Sequence, residues 1–194
     1  MQKGHISQLF YDYYENYKEL LINCRRFTHK DLLSLIKKIK TNPKFEIASV
    51  GKSLENRDIF LIKIGTGETK VLSWSQMHGD ESTATMALFD LFNFFSADDK
   101  FNNFRNELLE KTTLYFIPML NPDGAEKFER TNALNIDLNR DALRLQFPES
   151  QTLKLMRDEI KPEFGFNLHD QNTRYSAGNS FKTATISMLA PPFN

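Results

Sequence analysis

Residues 112–120 read TTLYFIPML, a nearly continuous apolar run in a chain of 194 residues. Such a run, rich in aliphatic and aromatic side chains, is typical of a strand that is buried on both faces of a sheet. Residues 70–77 and 164–168 also predict strands, and apolar residues at helical spacing lie between them. Because strands alternate with helices, the sequence predicts an α/β fold with a mixed, largely parallel sheet and helices on both faces.

Further elements surround these strands. Residues 45–50 and 58–64 predict a hairpin that leads to the strand at 70–77, and residues 183–190 predict a last strand. The predicted helices cover residues 7–40, with a stop at Asn42-Pro43, and then residues 82–95, 101–108 and 150–160.

The composition fits one globular domain preceded by a short extension. Apolar residues make up 40% of the chain and include 17 Phe, which is enough for a buried core. We assign residues 1–44 to an N-terminal helical extension and residues 45–194 to the domain.

The charge balance restricts the possible partners. The chain has 25 acidic and 25 basic residues, so no long-range field favours nucleic acid or an anionic membrane. No apolar segment has the length of a membrane span, and residues 1–10 lack the apolar stretch of a secretory signal, so the cytoplasm is the default location. The single cysteine, Cys24, cannot form an internal disulfide, and we expect a half-buried thiol. Nothing in the sequence specifies an oligomeric state.

Polar residues follow three of the predicted strands. His78, Asn121 and His169 each lie at or just beyond the carboxyl end of an apolar run. In open α/β sheets this edge is where ligands bind, so we expect the three side chains to line a site.

A metal site can be built from two of these positions. His78 and Glu81 are three residues apart at a strand-to-helix junction, and His169 would add a second imidazole. Two histidines and one carboxylate leave a fourth position for water, as in catalytic zinc sites, whereas calcium or magnesium would prefer more oxygen donors. The alternatives are an acidic first turn of a surface helix for the pair and a core histidine for His169. We expect His5 and His29 to lie on the surface.

A second group of residues suits an anion beside this metal. Arg130 and Arg140 carry planar, permanent donors that match a carboxylate, and Asn139 adds a neutral donor that can fix its orientation. Asp137 can accept the second ring N–H of a ligand histidine and fix its tautomer, or it can cap the following turn.

Five motifs, in this order, resemble the zinc metallocarboxypeptidase family, the relatives of pancreatic carboxypeptidase A. They are HGDE at 78–81, NPDG at 121–124, RTN at 130–132, DLNRD at 137–141 and NLHD at 167–170. The resemblance covers residues 45–192 and implies a carboxypeptidase-like fold, whereas the preceding helical stretch looks like an addition.

The resemblance also implies roles for the site residues. His78, Glu81 and His169 would hold Zn²⁺, and Asp137 would orient one of the ligand histidines. Arg130 would stabilise the oxyanion of the reaction. Substrate binding would fall to Asn139 and Arg140, which would hold the terminal carboxylate of the substrate.

The chain departs from the family pattern after its third metal ligand. The general-base glutamate and the substrate-capping tyrosine of the family come well after that ligand. Here no Glu follows His169, the only later acid is Asp170, and Tyr175 falls too soon. We therefore expect the N-terminal portion of a longer family member, truncated at its C-terminus, with an open sheet edge and feeble activity on its own.

Three functions remain open. The first is a zinc metallocarboxypeptidase that acts on peptides with a free carboxylate. The second is an N-acyl amino acid deacylase on the same fold, similar to aspartoacylase, and the NPDG and RTN motifs favour the peptidase over it. The third is a non-catalytic module that binds zinc and carboxylates, which the missing glutamate favours.

Overall fold

The computed structural model describes residues 3–170, 179–180 and 182, with side chains from residue 7 onward, and shows a five-stranded sheet with helices. The elements in chain order are α1 (Lys3–Tyr13), a 3₁₀ turn (Tyr14–Asn16), α2 (His29–Ile39), β1 (Glu46–Lys52), β2 (Asp58–Ile64), β3 (Thr69–Ser75), α3 (Thr83–Ser96), α4 (Asn102–Lys111), β4 (Thr112–Ile117), α5 (Pro122–Lys127), α6 (Leu138–Asp141), α7 (Pro148–Ile160) and β5 (Phe164–Leu168). The predicted strand at 183–190 and Tyr175 lie outside the described residues.

The sheet is mixed, which confirms the predicted fold class. Its strand order is β1-β2-β4-β3-β5. The predicted hairpin of β1 and β2 is antiparallel and also joins β4 in antiparallel register, whereas β4, β3 and β5 are parallel. Ser75 pairs with Leu168, so β3 and β5 end side by side. The segments that follow these two strands therefore emerge at the same edge of the sheet.

Helices cover both faces of the sheet, as the sequence predicts. On one face, α2 and α3 form an aromatic-rich core with the sheet, in which the Phe92 ring lies 5.2 Å from the Phe116 ring and 5.4 Å from the Phe89 ring. On the other face, Met156 and Ile160 of α7 pack with buried residues of the strands. Each face thus removes a continuous apolar surface from water.

The N-terminal region is less helical than was predicted for residues 7–40, although α2 matches the second of the two helical pieces expected there. It contains α1, the 3₁₀ turn, a non-helical segment at 17–28 and then α2. Helix α2 begins at a capping box: Thr28 Oγ1 accepts from the Asp31 amide at 3.3 Å, and the Asp31 carboxylate accepts from the Thr28 amide at 2.9 Å. This local signal restarts the helix, and its apolar face joins the core of the sheet.

Two side-chain expectations were wrong. His29 is buried rather than on the surface, and its Nε2 lies 3.0 Å from the Asp58 carbonyl oxygen. Burial lowers the pKa of His29. Cys24 is exposed rather than half-buried.

The end of β4 has a simple physical reason. β4 stops at Ile117 rather than at residue 120 because Pro118 has no N–H for the ladder. Backbone pairing nevertheless continues beyond it, since the Leu120 amide donates to the Ser75 carbonyl at 3.1 Å. The short helices α5 and α6 were not predicted from apolar spacing.

Among the described residues, none of the helices is both long enough and apolar enough to cross a bilayer.

Candidate metal centre

His78, Glu81 and His169 converge at the shared edge of β3 and β5. Glu81 Oε1 lies 2.9 Å from His78 Nδ1, and Glu81 Oε2 lies 2.6 Å from His169 Nδ1. The two imidazole rings stack with centroids 4.8 Å apart and an interplanar angle of 28°. One carboxylate therefore faces the Nδ1 atoms of both histidines.

The turn after β3 aims His78 into this edge. Gln76 has a left-handed backbone with φ of 47°. Its buried side chain fixes the turn, because Nε2 donates to the Gly79 carbonyl at 2.8 Å and Oε1 accepts from Thr85 Oγ1 at 2.9 Å. His78 is 1% exposed as a result.

Glu81 is a fully ionised acid in this arrangement. Burial alone would raise its pKa, but hydrogen bonds and charge from His169 and His78 outweigh the burial and lower the pKa to about 2. A carboxylate that keeps its charge while 15% exposed is suited to bind a cation.

Asp137 caps the following turn and is also placed to accept from the His78 ring. Its Oδ1 lies 3.1 Å from His78 Nε2 and also accepts from the Asn139 amide at 2.9 Å, which caps α6. Burial would raise the pKa of Asp137, but the hydrogen bond to His78 and other contacts lower it. His78 Nε2 is placed to donate to Asp137, and Nδ1 then remains as the nitrogen that a metal would bind.

Arg130 lies beside the same group. Its Nη1 is 3.1 Å from Glu81 Oε1, and its Nε and Nη2 are 3.2 and 3.1 Å from Asp137 Oδ2. Its side chain is 48% exposed, so the guanidinium is also open to solvent. Asn132, which the RTN motif contains, shapes the loop to Asp137 by accepting from the Leu134 and Ile136 amides at 3.1 and 3.0 Å.

Asn139 and Arg140 occupy different positions relative to the three converging residues. Asn139 Nδ2 lies 3.4 Å from His169 Nε2, so this side chain contacts the group directly. Arg140 does not; it is exposed, and among the described residues its side chain has no hydrogen bond or ion pair.

The donor set fits a divalent metal such as zinc. His78, Glu81 and His169 each offer one ligand atom, and these atoms lie within 4.8 Å of one another. Zinc is held at about 2 Å by nitrogen and carboxylate oxygen atoms, and three protein ligands leave one position open. Asp137, 3.1 Å from His78 Nε2, is placed to accept from that nitrogen, and Nδ1 lies on the side of the other two side chains.

The NPDG motif holds the chain segments at the strand ends together and contributes none of the three converging side chains. Asn121 is buried, accepts from the Gly124 amide at 2.9 Å and donates to the Met77 carbonyl at 3.3 Å. Asp123 is also buried and holds the β1–β2 turn, accepting from Ser53 Oγ and Arg57 Nη1, each at 2.6 Å. These contacts join α5 to the strand ends.

Asp170, in the segment after β5, lies near the centre and is held by several contacts. The carboxylate of Asp170 accepts from the amide and the hydroxyl of Thr83 at 3.1 and 2.8 Å, and from Arg25 at 3.0 Å. Its side chain is 8% exposed. The contacts join residues 87 and 145 positions apart, so no local pattern signals them.

The fold and the three converging side chains define an α/β protein with a candidate metal centre, beside which Arg130 lies. Residues 32–183 match the family model of zinc carboxypeptidases, peptidase M14. The chain therefore belongs to the zinc carboxypeptidase family.

Known relatives agree with this assignment. The chain is 32% identical over 119 residues to carboxypeptidase SOL1 of Arabidopsis thaliana, covering 58% of this chain and 24% of the relative. It is 30% identical over 114 residues to carboxypeptidase 2 of Trichophyton rubrum, covering 58% and 20%. The chain thus spans about a quarter or less of the length of these curated relatives.

Solved structures show the same fold. The metallo-carboxypeptidase from Pseudomonas aeruginosa, in complex with (2-guanidinoethylmercapto)succinic acid, matches with a TM-score of 0.67 and 26% identity over 72% of this chain and 39% of that chain. A metallo-carboxypeptidase from Burkholderia cenocepacia matches with a TM-score of 0.67 and 21% identity over 72% and 40%. This chain therefore corresponds to roughly two fifths of each of those structures.

Proposed function

We propose that this chain carries the metal-binding part of a zinc-dependent carboxypeptidase that removes residues from the C-terminus of peptides. The observation that carries the proposal is the convergence of His78, Glu81 and His169, with both Nδ1 atoms facing one ionised carboxylate. These three residues would be the metal ligands. Zinc bound there would act as a Lewis acid and lower the pKa of a bound water to about 7.

Asp137 prepares the centre for the metal. A metal ligand histidine must present an unprotonated nitrogen, and the proton on its other nitrogen needs an acceptor. Asp137 Oδ1, 3.1 Å from His78 Nε2, provides that acceptor and would leave His78 Nδ1 to bind the metal.

Arg130 is suited to stabilise negative charge on the carbonyl oxygen of the scissile bond. It is held by Asp137 through two nitrogen atoms, while its third, Nη1, is directed at Glu81. A cation fixed in this way needs little reorganisation when charge develops beside it. Its 48% exposure leaves room for a substrate to approach.

Asn139 and Arg140 would bind the terminal carboxylate of the substrate. Arg140 is exposed and without a protein partner for its side chain among the described residues, and a guanidinium binds a carboxylate through two parallel hydrogen bonds. The Pseudomonas aeruginosa relative was solved with a succinic acid derivative, and such a carboxylate ligand is in keeping with this role.

Asp170 is not suited to be the general base. It is the only acid after His169, and its carboxylate is already bound by Thr83 and Arg25. General-base catalysis contributes about 10²- to 10⁴-fold, so we propose that the 194-residue chain binds zinc and carboxylates but hydrolyses peptides feebly. These contacts of Asp170 also favour the other candidate function, a zinc- and carboxylate-binding module without turnover.

The test uses the zinc-loaded chain and three matched substrates: a peptide with a free C-terminus, the same peptide with an amidated C-terminus, and an N-acyl amino acid. Chelator-sensitive cleavage of only the free acid supports a carboxypeptidase. Turnover of the N-acyl amino acid alone would support a deacylase instead. Binding of the free peptide without cleavage supports the binding module, and failure to bind zinc contradicts the whole proposal.

A further inference from the structure

The non-helical segment at 17–28 reaches the metal centre. The Phe27 carbonyl accepts from Gln76 Nε2 at 3.2 Å, in the turn that aims His78. Arg26 Nη2 donates to the Glu126 carbonyl at 3.2 Å, on α5. The segment assigned to an N-terminal extension is therefore bound to the edge of the sheet that carries the ligands.

Arg25 in this segment contacts the neighbours of two ligands at once. Its carbonyl oxygen accepts from the hydroxyl of Ser82, the residue after Glu81. Its Nη2 donates to Asp170, the residue after His169, at 3.0 Å. One residue thus bridges the two chain segments whose ligand atoms must meet at a fixed separation.

Asp170 and Thr83 close this bridge into a ring. Asp170 Oδ1 accepts from the Thr83 amide at 3.1 Å, at the positive end of α3, and Oδ2 accepts from Thr83 Oγ1 at 2.8 Å. Oδ2 is also the oxygen that Arg25 binds. Since Thr83 is two residues from Glu81, the ring connects the Glu81 segment to the His169 segment through polar contacts.

We propose that the Arg25 side chain is a positioning group for the metal centre, which acts through Asp170 to fix the distance between Glu81 and His169. The inference rests on the proposed zinc site. Partners behind metal ligands orient them, and their loss weakens metal affinity about 10- to 100-fold. Because Arg25 lies one residue further away, we expect its loss to weaken zinc affinity about 10-fold, at the low end of that range.

The experiment compares zinc dissociation constants of the full chain and of Arg25→Ala, with Arg26→Ala as the matched control. Arg26 is the neighbouring exposed arginine, but it contacts Glu126 rather than a residue beside a ligand. We expect Arg26→Ala to remain within about twofold of the wild type, as surface changes do. Arg25→Lys keeps the cation and should recover most of the affinity that Arg25→Ala loses.

Two further readouts separate positioning from general stability. Visible absorption of the Co²⁺-loaded protein reports ligand geometry and should change in Arg25→Ala but not in Arg26→Ala. In an Asp170→Asn background, Arg25→Ala should cost less than it does alone, because the two residues act through one contact. Circular dichroism establishes that each variant is folded.

The possible failures are distinguishable. If the wild type binds neither Zn²⁺ nor Co²⁺, the proposed function fails and this inference with it. If the wild type binds zinc and Arg25→Ala binds it equally well, only the positioning role is overturned. A loss that Arg26→Ala reproduces, or that is fully additive with Asp170→Asn, also overturns it.

Discussion

Gly79 and Gly124 lie backbone against backbone. A Cβ atom on Gly79 would come within 2.0 Å of the Gly124 carbonyl carbon and 2.3 Å of the Ala125 amide nitrogen. This contact presses the turn between His78 and Glu81 onto the first turn of α5. Two of the family motifs, HGDE and NPDG, are therefore one packed unit, in which the absence of a Cβ on Gly79 lets the two backbones approach.

The first prediction follows from this contact. Gly79→Ala places a methyl group against backbone atoms that cannot turn aside, so the turn must shift. We expect a loss of about 1–3 kcal/mol in the free energy of unfolding, measured by urea denaturation. Zinc affinity should fall in the same variant because His78 and Glu81 flank the shifted residue.

Gly165→Ala is the matched control for this change. A Cβ atom there would meet only the Trp74 ring, at 3.5 Å, which is an ordinary contact. Its stability should stay within about 0.5 kcal/mol of the wild type. Equal effects of the two substitutions would show that the Gly79 contact is not restrictive.

The second prediction concerns Asp137→Asn. Asparagine retains an oxygen for the Asn139 amide, so α6 keeps its cap, but the acceptor for His78 Nε2–H loses its charge. Zinc affinity should fall about 10- to 100-fold, as measured by competition with a chromophoric chelator. Asp158→Asn, an exposed acid on α7, provides the control. Unchanged affinity in Asp137→Asn would remove this residue from the metal centre.

The convergence of His78 and His169 could be predicted because it is partly a local matter. His78 and His169 follow apolar strands, and parallel neighbours end at a common edge, so their convergence depends only on strand order. Asp170 and Arg25 could not be predicted in this way. Their contact joins residues 145 positions apart and depends on where the non-helical segment at 17–28 lies in space.

The N-terminal region shows the same limit. The apolar spacing of α2 was visible in the sequence, and so was the Thr28–Asp31 capping box that begins it. The prediction of helix throughout the residues before Thr28 overlooked this start signal. His29 was misjudged because its burial depends on β2. The Asp58 carbonyl of that strand accepts from the His29 ring, and the helical pattern around His29 gives no sign of this contact.

The third prediction concerns stability in acid. Burial would raise the pKa of Asp99, but hydrogen bonds from Tyr17 Oη at 2.6 Å, the Phe101 amide at 2.8 Å and Arg105 Nη2 at 2.7 Å lower it to about 2. The folded-state pKa is thus below the unfolded value of about 3.9, so these contacts stabilise the fold above pH 4. That contribution is lost as the pH falls from about 4 to about 2.

Asp99→Asn tests this assignment. The variant should be less stable than the wild type at pH 6, and the difference should shrink toward pH 2, in urea unfolding at each pH. Glu107→Gln, an exposed acid on α4, is the control. A difference that does not vary with pH would mean that the Asp99 charge contributes nothing to the fold.

The fourth prediction separates carboxylate binding from metal binding. Arg140→Gln removes an exposed guanidinium whose side chain has no partner in the described part of the chain, so folding and zinc affinity should not change. Binding of a peptide with a free C-terminus to the zinc-loaded chain should weaken by about 1.5–3 kcal/mol, the range for hydrogen bonds to charged groups. Calorimetry with the free and amidated forms of one peptide measures the difference, because only the free form carries the carboxylate that Arg140 would bind.

Arg144→Gln is the control for this change. It alters another exposed arginine, four residues away, and should leave the affinity for both peptides unchanged. An equal loss in the two variants would indicate a general charge effect, and no loss in Arg140→Gln would place the carboxylate elsewhere.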